Sequence, residues 1–185
     1  AQSEAAHDCQ FAKYWLHVGL IQVNDEKMSK SLNNFLTIHS ALSTYHSEVL
    51  RYFMLSGHYR SPLNYSEANL QNCAQALNRL YTALRGVCVS SPSKAGDAYE
   101  ARFFEALSDD FNSPVALSVL FELVREMNRC RKQGDASLVS TLGATLVRLG
   151  KILGLLTVDA QQFLQGDALD VETIESLIAQ RQQAR

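Results

Sequence analysis

The chain has 185 residues, 46% hydrophobic and 19% charged, with only three prolines and nine glycines. That composition excludes disorder, collagen and a low-complexity tail, and it fits a helix-rich globular protein with a sizeable core. Net charge is −2, with 7 Lys+Arg against 6 Asp+Glu in residues 1–93 and 10 against 13 in residues 94–185, so any nucleic-acid contact must be local rather than a bulk-charge effect. No apolar run is long enough to span a membrane, and the first residues carry no basic n-region of a signal peptide. The expectation is a soluble, cytoplasmic protein without a membrane partner. Opening without Met on helix-like Ser3-Glu4-Ala5-Ala6, the chain reads as a fragment of something longer.

In chain order, residues 16–23 are short and β-branched and end at Asn24-Asp25, which predicts a strand running into a loop. Leu42 and Tyr45 predict one short helix after Thr37, and Val49, Leu50, Phe53 and Met54 a second one stopped by Gly57. Residues 58–65, with Pro62, read as loop. Leu70, Cys73, Leu77, Leu80 and Leu84 mark an amphipathic helix ending near Gly86, and residues 90–96 are the only linker-like stretch.

Phe103, Phe104 and Leu107 mark another short helix. Asn112-Ser113-Pro114 is a helix start, a capping side chain followed by proline at the first helical position, and Leu117, Leu120, Phe121, Val124 and Met127 should face inward beyond it. Leu138, Leu142, Leu146, Leu149 and Leu153 then recur at helical spacing up to Gly154, which suits a left-handed C-cap. A last helix is expected from near Asp170, with Ile174, Leu177 and Ile178 on one face and fading over residues 180–185, and material is expected to continue past Arg185. The fold class is therefore mainly α: a short strand and loop with connecting helices, then an antiparallel α-helical bundle.

The four cysteines, Cys9, Cys73, Cys88 and Cys130, lack metal-ligand spacing and read as free core thiols, so no metal site is expected in this chain. His7 and His17 read as structural histidines and Trp15 as a packing anchor. Arg125, Arg129 and Lys132 share a helical face, with Glu122 and Glu126 placed to pair with Arg125 and Arg129, so this face reads as solvated and salt-bridged.

The sharpest chemical feature is Glu26-Lys27-Met28-Ser29-Lys30-Ser31-Leu32, with two lysines three apart interleaved with hydroxyls. No Gly-x-x-x-x-Gly precedes it, so it is not a P-loop, yet ammonium and hydroxyl groups on one loop can engage polyphosphate oxygens. Lys27-Met28-Ser29-Lys30-Ser31 resembles the KMSKS signature of class I aminoacyl-tRNA synthetases. The flanks, Ala1-Gln2-Ser3-Glu4-Ala5, Phe11-Ala12-x-Tyr14-Trp15-x-His17-x-Gly19, Asn34-Phe35, the run Arg51 to Ser61, and Asp109-Asp110-Phe111-Asn112-Ser113-Pro114-x-Ala116, are similar to cysteinyl-tRNA synthetases.

That resemblance implies an ATP-dependent ligase that activates cysteine and transfers it to tRNA(Cys), with ATP, cysteine and tRNA as partners. It implies catalytic roles for Lys27 and Lys30, ATP contact by Lys27, Met28, Ser29, Lys30 and Ser31, and RNA contact by Arg51, His58 and Arg60. Residues 1–36 would be the catalytic-domain edge with its loop, 37–65 the stem-contact helices and 66–185 the DALR-type bundle. The family's zinc ligands would lie upstream, and the 185 residues alone are expected to be inactive. Asn33 stands where the family usually has glycine, which bears on hinge behaviour of the loop. Three alternatives stay open: a related ligase joining cysteine to an amino sugar, another class I synthetase, and a stand-alone helical adaptor.

Overall fold

The computed structural model describes residues 2–24, 26–27, 37–88, 94–165 and 180–181. The elements are α1 (Gln2–His7), β1 (Ile21–Val23), β2 (Glu26–Lys27), α2 (Ile38–Leu42), α3 (Ser47–Ser56), β3 (Leu63–Tyr65), α4 (Glu67–Leu84), α5 (Asp97–Ser108), α6 (Ser113–Lys132), α7 (Ala136–Ile152) and α8 (Ala160–Gln165). The mainly helical class holds.

Helix boundaries follow from capping chemistry. Thr37 Oγ1 accepts from Ser40 N at the start of α2, Ser66 Oγ from Asn69 N at α4, Asn112 Oδ1 from Val115 N at α6 and Asp135 Oδ1 from Leu138 N at α7, each closing an orphan donor of the first turn. Helix α7 ends as its spacing predicts, with Gly154 at φ +68 beyond Leu153. Helices α6 and α7 are separated only by residues 133–135, so they run antiparallel. Leu70, Leu77, Leu80, Phe103, Leu120, Leu123, Met127, Leu142, Leu146 and Leu149 are fully or almost fully buried between α4, α5, α6 and α7.

Several expectations change. Residues 58–65 are not all loop: Leu63–Tyr65 is a strand that pairs in parallel with β1, Ile21 opposite Leu63 and Val23 opposite Tyr65. Three residues are too few to show an alternation, and Pro62 lies just before the ladder, where its missing N–H costs nothing. The first predicted strand shrinks to Ile21–Val23, which also pairs antiparallel with β2, giving the order β2-β1-β3. Of the linker-like stretch, residues 94–96 form a 3-10 turn, and Gly96 is buried so tightly that a Cβ there would lie 2.1 Å from Thr145 Oγ1. Helix α8, unforeseen because it is so short, puts Phe163 in a stack on Tyr81 with ring centroids 3.9 Å apart. The predicted helix from Asp170 falls largely outside the described residues. Trp15 is 68% exposed and touches Phe11 at 5.9 Å between centroids, so within this chain it anchors no core. Leu42, Met54 and Phe104 are also largely exposed.

Two carboxylates hold the elements together. Glu48, at 4% exposure, lies in α3 and accepts hydrogen bonds from Tyr81 Oη (2.8 Å) on α4, from Leu156 N and Thr157 N (both 2.9 Å) beyond α7, and from Thr157 Oγ1. No cation faces it among these contacts, so the hydrogen bonds alone replace its hydration. Asp110 follows α5 and reaches back to the segment after α3. It accepts from Tyr59 Oη (2.6 Å), Arg60 Nε (2.6 Å) and Arg60 Nη2 (3.0 Å), with His58 Nε2 at 3.8 Å. The Arg60 and Tyr59 hydrogen bonds hold its carboxyl down to about 2. Asp110 and Phe111 both have left-handed backbones, φ +52 and +54, a conformation that the surrounding contacts must impose.

Leu120 and Leu146 sit at the centres of their buried stripes with no exposed surface, so replacing either with alanine should cost about 2–5 kcal/mol through lost transfer energy and a cavity. A denaturant melt reads this directly. For Asp110 the sign follows from its lowered value: the interaction is fully present above the unfolded carboxyl range near ~3.9 and is lost as pH falls through about 2. Urea midpoints measured from pH 5 down to 2 should therefore show Asp110→Asn less stable than the unchanged chain at the upper end, the two curves converging at the lower end.

Candidate functional site

The lysine string leaves the sheet at a defined place. Gln22 pairs with Lys27 and Val23 with Glu26 across an antiparallel ladder, with Asn24 at φ +51 opening the turn. On its other side β1 is fixed by Leu63 N to Leu20 O and Asn24 N to Tyr65 O, both 3.1 Å. Just before β1, Gly19 N donates to Tyr59 O at 2.7 Å, and a Cβ at Gly19 would lie 2.1 Å from Ser61 O. Only glycine permits this approach. The backbone of Lys27 is thus held by β1, β1 by β3 and the 59–61 segment, and that segment by Asp110 at the entrance to α6. Met28, Ser29, Lys30 and Ser31, and Asn33 after them, lie outside the described residues.

The three basic residues expected to meet RNA separate into two groups. His58 and Arg60 both face Asp110, and the Arg60 guanidinium also lies 5.1 Å from the centre of the Tyr59 ring, on which His58 stacks at 5.0 Å. Hydrogen bonding to Asp110 raises both the Tyr59 hydroxyl and the Arg60 guanidinium above their ordinary values. Arg51 belongs elsewhere: exposed on α3, it runs across Gly154, where a Cβ would meet Arg51 Cδ at 3.0 Å.

Other candidates resolve as follows. Cys73 and Cys130 are buried and burial pushes both thiols up, whereas Cys9 and Cys88 are exposed, so the core-thiol reading holds for two of the four. All four are free. Among the described residues no group of three His, Cys, Asp or Glu side chains could hold a metal ion. His7 and His17 are exposed rather than packed. On α6, Glu126 pairs with Arg129 as expected, but Glu122 turns to Arg102 of α5 instead of Arg125, because the helix interface brings a forked guanidinium within bidentate reach.

The sequence reading missed Glu48, Tyr52 and the role of Asp110. Glu48 had one signal, an acid sitting beside Val49 on the apolar face that Phe53 continues. Asp110 had none in its spacing, since its partners lie about fifty residues away.

Residues 1–75 match the family of tRNA synthetases class I (C) catalytic domains, and residues 102–157 match the DALR domain. Over its whole length the chain is 51% identical to a Cysteine--tRNA ligase of Pectobacterium carotovorum and 52% identical to one of Proteus mirabilis, covering 41% of each. It therefore spans about two fifths of the length of these relatives. Its fold is similar to that of a chain in a LeuRS–tRNA–LeuAMS ternary complex from Agrobacterium radiobacter K84, at TM-score 0.62 and 15% identity, over 82% of this chain and 23% of that one. At that identity the likeness concerns fold alone. With a class I catalytic-domain match in its first part, a DALR match in its second and half of all residues shared along its entire length, this chain is similar throughout to a two-fifths segment of cysteine–tRNA ligases.

Proposed function

We propose that the chain supplies the phosphate-engaging lysine loop and RNA-contacting helices of a cytoplasmic enzyme that activates cysteine with ATP and transfers it to tRNA(Cys). The observation that carries this reading is the sheet-anchored entry to Lys27-Met28-Ser29-Lys30-Ser31 within a segment similar to cysteine–tRNA ligases from end to end. Residues 1–36 would form the edge of the catalytic domain, 37–65 the stem-contact helices and 66–185 the DALR-type bundle. The amino-sugar ligase, another class I synthetase and the helical adaptor are not favoured, because full-length similarity runs to Cysteine--tRNA ligases. No helix among the described residues is long and apolar enough to cross a membrane.

The chemistry asked of the loop is electrostatic. As the cysteine carboxylate attacks the α-phosphorus, negative charge builds on the departing pyrophosphate, and donors that engage those oxygens more tightly in the transition state accelerate the step. Lys30 takes that role first and Lys27 second, with Met28, Ser29 and Ser31 shaping the loop and the two hydroxyls available to hydrogen-bond. Arg51 offers an exposed guanidinium to RNA, while His58 and Arg60 would meet it from their positions on Asp110. Nothing in this step is assigned to zinc, for which the described residues offer no ligand set.

The test is made in the intact parent enzyme. Lys30→Ala should lower the rate of adenylate formation by about 10²–10³, the size of losing one preorganised donor, with cysteine affinity little changed. Rapid-quench adenylate measurements beside cysteine titration decide it, and an unchanged rate sinks the proposal. The 185-residue chain alone should show no cysteine-dependent exchange of pyrophosphate into ATP.

A further inference from the structure

A cavity of about 410 Å³ opens between α3, β3 and α4, within the size range of small-ligand sites. Its floor is apolar, formed in part by Phe53 and Leu63, and its polar lining is neutral: Tyr52, Ser56, Asn64 and Asn72 contribute hydroxyls and carboxamides, and no charged side chain lines it among the described residues. Two of these polar groups have internal reasons to be there. Asn64 accepts from Asn69 Nδ2 at its backbone oxygen (2.9 Å), and Ser56 donates to Phe53 O (2.7 Å).

Tyr52 has none. The residue is only 8% exposed, yet its hydroxyl meets no hydrogen-bond partner among the described residues, and burial pushes its pKa up to about 12. Tyr52 lines the cavity and its hydroxyl is not sealed from solvent, so that hydroxyl is available to a ligand there. Asn72 also lines the cavity and is exposed, so its carboxamide is open to solvent and to a ligand. Asn72, Ala76 and Arg79 lie at i, i+4 and i+7 on α4, so a guanidinium shares the face on which the cavity opens. Arg79 rests 5.3 Å from the centre of the Phe121 ring.

We infer that this cavity is a nucleobase subsite, taking one unstacked base of the RNA partner, with the Tyr52 hydroxyl and the Asn72 carboxamide on the base edge and Arg79 toward its phosphate. The inference rests on the reading of RNA as partner. Its chemical basis is the match between neutral donor-and-acceptor groups and a base edge. Asparagine can bond a base bidentately, a tyrosine hydroxyl can donate or accept, and proteins reading single-stranded RNA take up splayed bases in this way. A bare phosphate finds no cation inside the cavity, and a purely apolar ligand would displace water from the Tyr52 hydroxyl without replacing its hydrogen bond.

The experiment titrates the 185-residue chain with AMP, GMP, CMP and UMP, following backbone and side-chain NMR signals, with ribose 5-phosphate as the base-free control. At least one nucleotide should shift Tyr52, Ser56 and Asn72 together while the control does not. Tyr52→Phe and Asn72→Ala should each weaken that nucleotide about fivefold, the loss of one neutral hydrogen bond, without lowering the melting temperature. Arg79→Ala should reduce the salt dependence of binding. Absence of shifts at these residues, equal shifts from ribose 5-phosphate, or unchanged affinity in both Tyr52→Phe and Asn72→Ala overturns the subsite. A tRNA(Cys) transcript titrated in parallel separates the two readings: if it binds while the mononucleotides leave Tyr52 unmoved, the subsite alone fails. If neither binds, RNA as the partner of this chain fails with it.

Discussion

Glu48 is the constraint on which the arrangement of helices depends. A carboxylate taken from water must recover its hydration from fixed donors, and those available come from two separate places: the Tyr81 side chain of α4, and the turn that offers the backbone of Leu156 and Thr157 with the Thr157 hydroxyl. None of these donors can move far without leaving a buried charge unsatisfied. The left-handed backbone of Leu156, φ +57, belongs to the same requirement, since it turns two successive N–H groups toward one acid. Gly150 then accommodates the Leu156 side chain, which a Cβ at that position would meet at 2.7 Å.

The short sheet depends on the helices in turn. Strands of two and three residues have too little pairing to persist alone, so β1 and β2 borrow their position from β3 and from the turn after α3. That turn is fixed by Glu48 at one end of α3 and by Asp110 at the other. Lys27 therefore leaves the sheet from a backbone position fixed by β1, and β1 in turn by β3 and Tyr59 O.

What the sequence revealed follows from the range of the interactions. Helices α4, α6 and α7 were legible because their signals are local: apolar residues at helical spacing, Asn112 before Pro114, Gly154 after Leu153. The lysine string was legible as a string, and its chemical assignment came through resemblance. Strand β3 was hidden because its partner lies about forty residues earlier and its own three residues carry no period. The Asp110 junction and the cavity at Tyr52 were hidden for a related reason. Each is assembled from residues whose proximity exists only after folding, and Tyr52, beside Phe53 on an apolar face, looks from its spacing like ordinary core.

The separation between Glu48 and its partners also has a temporal meaning. The residues that satisfy this carboxylate lie 33, 108 and 109 positions downstream. At ribosomal rates of ~5–20 residues per second, roughly 5–20 s pass between synthesis of α3 and synthesis of the turn that completes its hydrogen bonds. Through that interval only the Tyr81 hydroxyl, among the donors that satisfy Glu48, is present in the chain. The hydrogen bonds of this carboxylate can therefore be complete only once α6, α7 and the Leu156–Thr157 turn have been made.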